Sequence, residues 1–250
     1  VTGRLTDKVA VVTGGTTGIG LSVATRFAAE GAAVFVTGRR QAELDGAIAA
    51  IGPGAVGVRA DMSVLADIDR LYDAVRQRHA GIDVVVANAG GGDFAPLGAV
   101  TEEQYERTFG TNVKGTIFTV QKALPLLVDG ASVILTGSTT SIKGTPAFSV
   151  YGATKAAVRN LARSWMLDLK ERRIRVNVIS PGPVETPGLL GLAADAEQER
   201  QLRTGLVASV PLGRLGRPEE IASMALFLAS EEASFVNGAE LFVDGGAAQF

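Results

Sequence analysis

The chain has 250 residues, 46% of them hydrophobic, enough to bury about 70–75% of the surface of an extended chain, so a disordered protein is excluded. Lysine and arginine number 24 against 26 aspartates and glutamates, a net charge of −2 with no long basic run, which excludes a phosphate-driven nucleic-acid binder. There is no cysteine, hence no disulfide framework, thiolate metal site or cysteine nucleophile, and no apolar run approaches the roughly 18–20 residues of a membrane span.

In chain order, the first strand is KVAVVT at 8–13; its apolar core Val9–Val12 is too short for a signal h-region, and the chain reads as soluble, unexported and cytoplasmic. It runs into TGGTTGIG at 13–20 and a helix over 18–30 with Gly31 past its end. Strand two, AVFVT at 33–37, is followed by Gly38, Arg39 and Arg40 and a helix over 41–50. Strand three, AVGVRAD at 55–61, precedes a helix over 64–79, with Gly81 just beyond it. The sole histidine, His79, falls in that helix's last turn, where a cation suits the dipole, so it is read as structural. Strand four, IDVVVAN at 82–88, leads to a helix over 102–127 opened by a Thr101/Gln104 capping box. Strand five, ASVILTG at 131–137, precedes a helix over 150–171, and strand six is IRVNVIS at 174–180. The piece from 181 to 217 is irregular, Gly/Pro-rich and then polar, and 183–215 is expected to form a substrate lid. A helix over 218–229 starts on Pro218, Glu219 and Glu220, and strand seven is AELFVD at 239–244.

The strands are β-branched and almost continuously apolar, as parallel strands covered on both faces must be. Their alternation with helices predicts a single α/β domain over 1–250, a doubly wound, Rossmann-like fold with a parallel sheet and right-handed crossovers. Nothing in the composition divides it.

Three groups of residues carry chemistry. TGGTTGIG opens a helix directly after a strand, a geometry that presents bare backbone N–H groups to phosphate; its spacing, G-x-x-x-G-x-G, lacks the lysine of a Walker loop. A tight turn alone uses glycines too. Tyr151 and Lys155, one helical turn apart on one face, are either a packed aromatic and a solvated lysine or a phenol whose pKa a cation lowers for proton transfer. The third group lies at strand ends: Arg39 and Arg40, Asp61, Asn88-Ala89-Gly90, Ser138 and Pro181-Gly182, with Asn112 in the helix after strand four. Ligands of open α/β sheets bind outside the carboxyl ends of the strands, which is where these residues collect. Arg39 and Arg40, with no carboxylate at Thr37 or Gly38, suit a 2′-phosphate, and this predicts NADP(H) over NAD.

TGGTTGIG, NAG at 88–90, Asn112, Ser138, Y-x-x-x-K at 151–155 and PG at 181–182 together resemble the short-chain dehydrogenase/reductase family, over essentially the whole chain. The resemblance implies a seven-stranded sheet in the order 3-2-1-4-5-6-7, a nicotinamide dinucleotide, and reversible hydride transfer to a carbonyl or from an alcohol. It implies Tyr151 as acid/base, Lys155 as its partner and ribose anchor, Ser138 on the substrate oxygen, and Asn112 on a water that resupplies protons. It further implies a dinucleotide site made of Gly14, Thr16, Thr17, Gly18, Ile19, Gly20, Arg39, Arg40, Asp61, Met62, Asn88, Ala89, Gly90, Tyr151, Lys155, Pro181, Gly182, Val184 and Thr186. Asp61 would meet the adenine amino group, or simply help cap helix three. Val184 and Thr186 would face the carboxamide. Members with the two-arginine pattern include some that accept both coenzymes.

The expected substrate is a small carbonyl or alcohol with an apolar portion, given Phe94, Phe148 and GLLGLAA at 188–194. A ketone reductase of 3-oxoacyl type is favoured; an NAD-dependent alcohol, sugar or steroid dehydrogenase and a dinucleotide-binding regulator without turnover are the alternatives. One histidine and no cysteine give no metal-ligand spacing. Apolar positions on several faces of the long helices, such as Ala157, Leu161, Trp165 and Leu169, suggest self-association, and by resemblance a homotetramer.

Overall fold

The computed structural model describes residues 3–249. Its strands are β1 (Val9–Val12), β2 (Ala33–Gly38), β3 (Val56–Arg59), β4 (Ile82–Ala87), β5 (Leu127–Thr136), β6 (Arg175–Pro181) and β7 (Glu240–Val243). They form one parallel sheet in the order β3-β2-β1-β4-β5-β6-β7, as expected. The helices are α1 (Gly18–Ala29), α2 (Gln41–Ile51), α3 (Leu65–Arg76), α4 (Glu102–Phe109), α5 (Thr116–Ala123), α6 (Ser149–Asp168), α7 (Pro187–Leu190), α8 (Ala196–Ala208) and α9 (Pro218–Ala229).

The continuous apolar strands explain the layering. In β1, Val9 and Val11 point into a core shared with α3, α5 and α6, through Ile68, Leu71, Tyr72, Val75, Val120, Ala123, Val158 and Ala162. Ala10 and Val12 point the other way, into a core with Val23, Ala24 and Phe27 of α1, Leu44 of α2, and Ile221, Ala225 and Leu226 of α9. Each residue of β1, and of the central stretches of the strands beside it, is thus buried whichever face it takes, so no polar alternation appears there, while β3 and β7 at the sheet edges are only half-buried. Chain order reverses between β1 and β4, and the crevice at their carboxyl ends is the ligand position of a doubly wound sheet. Among the described residues no helix is long and apolar enough to cross a membrane.

Four boundaries differ from expectation. The helix over 102–127 is α4, a π-helical turn at Gly110–Gly115, and α5, which stops at Ala123: Leu124 still has helical backbone, but Pro125 has no N–H with which to continue the ladder. Consequently β5 begins at Leu127 rather than 131; its register slips against β4 between Ile82 and Val84, with Gly130 at φ 82°. Helix α3 ends at Arg76, so Gly81 is not its cap: a side chain there would meet Val128 Cγ1 at 2.7 Å. His79 lies beyond the last turn, its ring edge-on to Phe35 at 5.7 Å. Helix α6 ends at Asp168, and Leu161, Trp165 and Leu169 are partly buried against the core.

One expected cap forms in part and another follows the sequence closely. Thr101 Oγ1 accepts from Gln104 N–H at 3.1 Å, but the Gln104 amide donates to Asp93 O at 3.0 Å instead of closing the box. Pro218 is the first residue of α9, and the Glu220 carboxylate accepts from Arg217 N–H at 2.7 Å. The segment expected as a lid carries α7 and α8; no residue of α8 is buried, and Asp195 caps it by accepting from Glu197 and Gln198 N–H, each at 2.9 Å.

Candidate active site

The loop after β1 turns on Gly14 (φ 63°) and Gly18 (φ 53°), in the left-handed region that side chains resist. Thr17 precedes α1 without bonding any of its N–H groups through its side chain, and the first turn holds no acidic residue, so this helix end faces outward as an anion cradle. Thr16 closes it laterally: a side chain on Gly38 would meet Thr16 Cγ2 at 2.2 Å. Ile19 is half-buried and packs against the α1–α9 core. Gly20 is buried, with Gly14 O and Asn88 Nδ2 where its side chain would be.

Strand β4 is tied to this loop. Asn88 Nδ2 donates to Thr13 O at 3.0 Å and Gly14 O at 3.1 Å, while Thr13 Oγ1 accepts from the N–H groups of Asn88 and Ala89 at 3.0 and 3.1 Å. Gly90 comes next, with Asn112 Oδ1 and Lys155 Nζ 3.0 and 3.4 Å from where a side chain would begin.

At the ends of β2 and β3, Arg39 and Asp61 line an open cavity of about 480 Å³ with Arg59, Ala60, Asp67 and Arg70. Arg39 makes no ion pair among the described residues, whereas Arg40 is paired with Glu43. Asp61 Oδ1 accepts from Ser63 N–H and Oγ–H at 2.9 and 2.7 Å, shaping the turn before α3 rather than capping the helix. Met62 is buried as a floor, its sulfur 3.5 Å from Thr37 Oγ1.

The chemical groups meet at the ends of β5 and α6. Ser138 Oγ accepts from Thr140 N–H at 3.2 Å and Oγ1–H at 2.9 Å, which leaves its own proton for the neighbouring Tyr151 phenol. The Tyr151 ring is stacked on Phe148 (4.5 Å, 27°) and covered on Cδ2 by Gly92, where a side chain would approach to 2.7 Å. Lys155 is buried, donates to Thr136 O at 2.7 Å, and lies 5.5 Å from the Tyr151 ring centre. The π-helical turn carries Asn112 to the same place: its Nδ2 donates to Gly91 O and Thr154 Oγ1, both at 2.9 Å, and its Oδ1 accepts from Gly91 N–H at 3.0 Å.

Electrostatics depart from the simple expectation of a lowered Tyr151 pKa. Burial pushes the phenol up to about 12, only partly offset by the Ser138 hydrogen bond, and burial pushes the Lys155 ammonium down to about 8. The ammonium donates to the Thr136 carbonyl, and the Tyr151 ring is packed against Phe148.

After β6, Gly182 N–H donates to Val243 O at 3.1 Å, and Pro181 pairs with Val243. Val184 bridges Gly216 through Pro183 O and Glu185 N–H, so its own N–H and C=O point to the opposite edge. Thr186 Oγ1 accepts from Leu189 N–H at 3.1 Å and keeps its proton; its methyl lies 3.0 Å from where a Gly18 side chain would start. The glycine loop and the β6 loop therefore face each other across a space that only glycine leaves open.

A family model described as Enoyl-(Acyl carrier protein) reductase matches residues 14–248. The chain is also 51% identical over 248 residues to Oxidoreductase asL5 of Sarocladium schorii, covering 98% of each. The chain belongs to the short-chain dehydrogenase/reductase family. It is an oxidoreductase acting on carbonyl or alcohol substrates, as other members are. To one of these, the NADP-dependent (R)-specific alcohol dehydrogenase of Lentilactobacillus kefiri, it is 36% identical, covering 98% of both chains. Another, 3-ketoacyl-(acyl-carrier-protein) reductase from Brucella melitensis complexed with NADH, superposes with a TM-score of 0.90 at 32% identity, over 98% of this chain and 99% of that one.

The sequence did not point to the residues behind this family site. Thr13, Thr136, Thr140 and Thr154 each hold a functional group through a hydrogen bond. Gly92 encloses the phenol together with Phe148, which the sequence offered only for the substrate side. Adjacency to a motif is the one signal that could have flagged the threonines; the ring stack needs coordinates.

Proposed function

We propose that the protein is a one-domain NADP(H)-dependent carbonyl reductase, with Tyr151 as general acid/base and the segment 183–215 as a lid over the substrate. The observation that supports it most is the meeting of the Tyr151 phenol, the Ser138 hydroxyl and the Lys155 ammonium beside Gly90 and Gly92, in the segment that Asn88 ties to the glycine loop. Gly14, Thr16, Thr17, Gly18, Ile19 and Gly20 would cradle the pyrophosphate, and Asp61, Met62, Asn88, Ala89 and Gly90 the adenosine. Pro181, Gly182, Val184 and Thr186 would hold the nicotinamide. When bound, the reduced coenzyme supplies the hydride taken up at the carbonyl carbon.

Tyr151 donates its proton to the carbonyl oxygen as charge gathers there, and Ser138, whose lone pairs are occupied by Thr140, donates to the same oxygen. Lys155 would hold ribose hydroxyls with the N–H groups that Thr136 leaves free. Asn112 fixes Gly91 against Thr154, next to Lys155, and a water on it would connect that ammonium to solvent.

The titrations set the direction in which pH acts. A phenol raised to about 12 stays protonated, and so competent as an acid, throughout the neutral range; an ammonium lowered to about 8 loses its charge above that value. Ketone reduction should therefore be flat at neutral pH and fall above about 8, while alcohol oxidation, which needs phenolate, should climb as pH rises. Profiles of kcat in both directions check this; oxidation that is fastest in acid contradicts it.

Arg39 carries the coenzyme preference, with Arg40 beside it but held by Glu43. A charged hydrogen bond to a 2′-phosphate is worth about 1.5–3 kcal/mol. Arg39→Ala is thus expected to raise KM for NADPH by about 10–100-fold and leave that for NADH unchanged. Gly38 supports the same preference, since any side chain there displaces Thr16. A kcat/KM favouring NADH in the unaltered protein would select the second reading, an NAD-linked alcohol, sugar or steroid dehydrogenase, which the engagement of Arg40 favours. The substrate side is apolar: Phe94 packs tilted against Phe148, with ring centres 4.7 Å apart, and is 43% exposed. Following NADPH oxidation over β-ketoesters, acyl thioesters, aryl ketones, steroids and sugars tests the assignment to 3-oxoacyl-like ketones. We further expect a homotetramer; a monomer by light scattering at micromolar concentration opposes it.

A further inference from the structure

Glu240, on the edge strand β7, has a carboxylate that its position in sequence does not explain. Its side chain is only 8% exposed. Desolvating a carboxylate is unfavourable unless charge and hydrogen bonds compensate. Here three partners do so. Oε1 accepts from Ser141 Oγ–H at 2.9 Å and from Ser180 Oγ–H at 2.7 Å. Oε2 lies 2.7 Å from Arg159 Nε, off the axis of that N–H, so the link is ionic rather than a directed hydrogen bond. The two serines are 99 and 60 residues away in sequence, so this is a tertiary junction and not local stitching.

Each partner sits in a segment that carries part of the site. Ser141 closes the short turn Thr139–Ser141 that starts on Ser138, and its N–H donates to Ser138 O at 2.9 Å. Arg159 is on α6, one helical turn beyond Lys155 and two beyond Tyr151. Ser180 immediately precedes Pro181 and Gly182 at the end of β6. Register places Glu240 opposite Val178, whose side chain is in the core under α6, so the carboxylate enters from the α6 side of the sheet.

We infer that Glu240 is a positioning residue for the reaction: by joining the Ser138 turn to α6 it sets the distance between the Ser138 hydroxyl and the Tyr151 phenol. The inference rests on the roles given above to Ser138 and Tyr151. Glu240 touches neither residue and acts only through Ser141 and Arg159.

The test is a double-mutant cycle on kcat for ketone reduction, with the unaltered protein, Ser138→Ala, Glu240→Leu and the double variant, each normalised to coenzyme-binding sites. Misplacement of a reacting group by about 1 Å costs up to about 100-fold, so Glu240→Leu should lower kcat roughly 10–100-fold while the coenzyme Kd changes less than about twofold. With Ser138 already replaced, the same change should cost less than about twofold, because the group it positions is gone. Ser141→Ala, which cuts one link and keeps the ion pair, serves if Glu240→Leu does not fold; it should lower kcat roughly 3–10-fold, with the same collapse of the effect when Ser138 is alanine. Glu240→Gln, which retains an acceptor for the serines, should restore part of the rate lost in Glu240→Leu. Equal losses with and without Ser138, or a loss that disappears on normalising to binding sites, overturn the inference. Failure of the site assignment itself shows separately, as unimpaired turnover in Ser138→Ala alone, and takes the inference with it.

Discussion

Tyr151→Phe is expected to lower turnover by about 10²–10⁴-fold, the range of general acid–base catalysis, with coenzyme affinity and stability almost unchanged. The reason for so selective a loss is in the packing. What holds the residue is its ring, stacked on Phe148 at 4.5 Å and covered by Gly92; phenylalanine keeps both contacts. What it loses is the hydroxyl that meets Ser138 and delivers the proton. Kinetics of ketone reduction, coenzyme titration and thermal unfolding of the same preparation check all three parts. Turnover close to that of the unaltered protein would remove Tyr151 from the mechanism, and lost coenzyme binding would make its role structural.

Gly20→Ala should have the opposite signature, a binding defect with the catalytic groups intact. A methyl on residue 20 starts 2.2 Å from Gly14 O and 2.5 Å from Asn88 Nδ2. The first of these is backbone and cannot rotate away. Either the glycine loop lifts, opening the cradle at the start of α1, or Asn88 gives up its bonds to Thr13 O and Gly14 O, loosening the end of β4. Overpacking of this kind costs about 1–3 kcal/mol. If the bound coenzyme needs the tight loop, that cost appears as an increase of about 10–100-fold in its Kd. Calorimetric titration measures it directly. Unchanged affinity would mean that the loop is not the phosphate cradle.

The two variants also show why some of this was readable from sequence and some was not. The central strands were legible because a strand covered on both faces is apolar at every position, as Val9–Val12 shows by sending alternate residues into different cores. The long helix after β4 was misread because its apolar pattern runs straight through Gly110–Gly115 to Leu127: the π-helical turn changes the backbone and not the composition, and only Pro125 marks the end. The start of β5 was hidden by Val128, Asp129 and Gly130, exposed residues that look like a loop. In the site, Tyr151 and Lys155 announced themselves through spacing, and Ser138 and Asn112 through their place at or after strand ends and the family resemblance. Their supports did not, since Thr136, Phe148 and Glu240 matter for where folding puts them. The acidity of Tyr151 was read in the wrong direction for the same reason: the nearby cation is visible in sequence, and the rings that enclose the phenol are not.

A crystal structure of the protein with coenzyme and a ketone measures the central claim most directly. The account predicts Tyr151 Oη and Ser138 Oγ both within about 2.6–3.2 Å of the carbonyl oxygen, with the carbonyl carbon over the nicotinamide ring and Lys155 on its ribose. A ketone bound away from the phenol, or a coenzyme that leaves the glycine loop after β1 untouched, would contradict it.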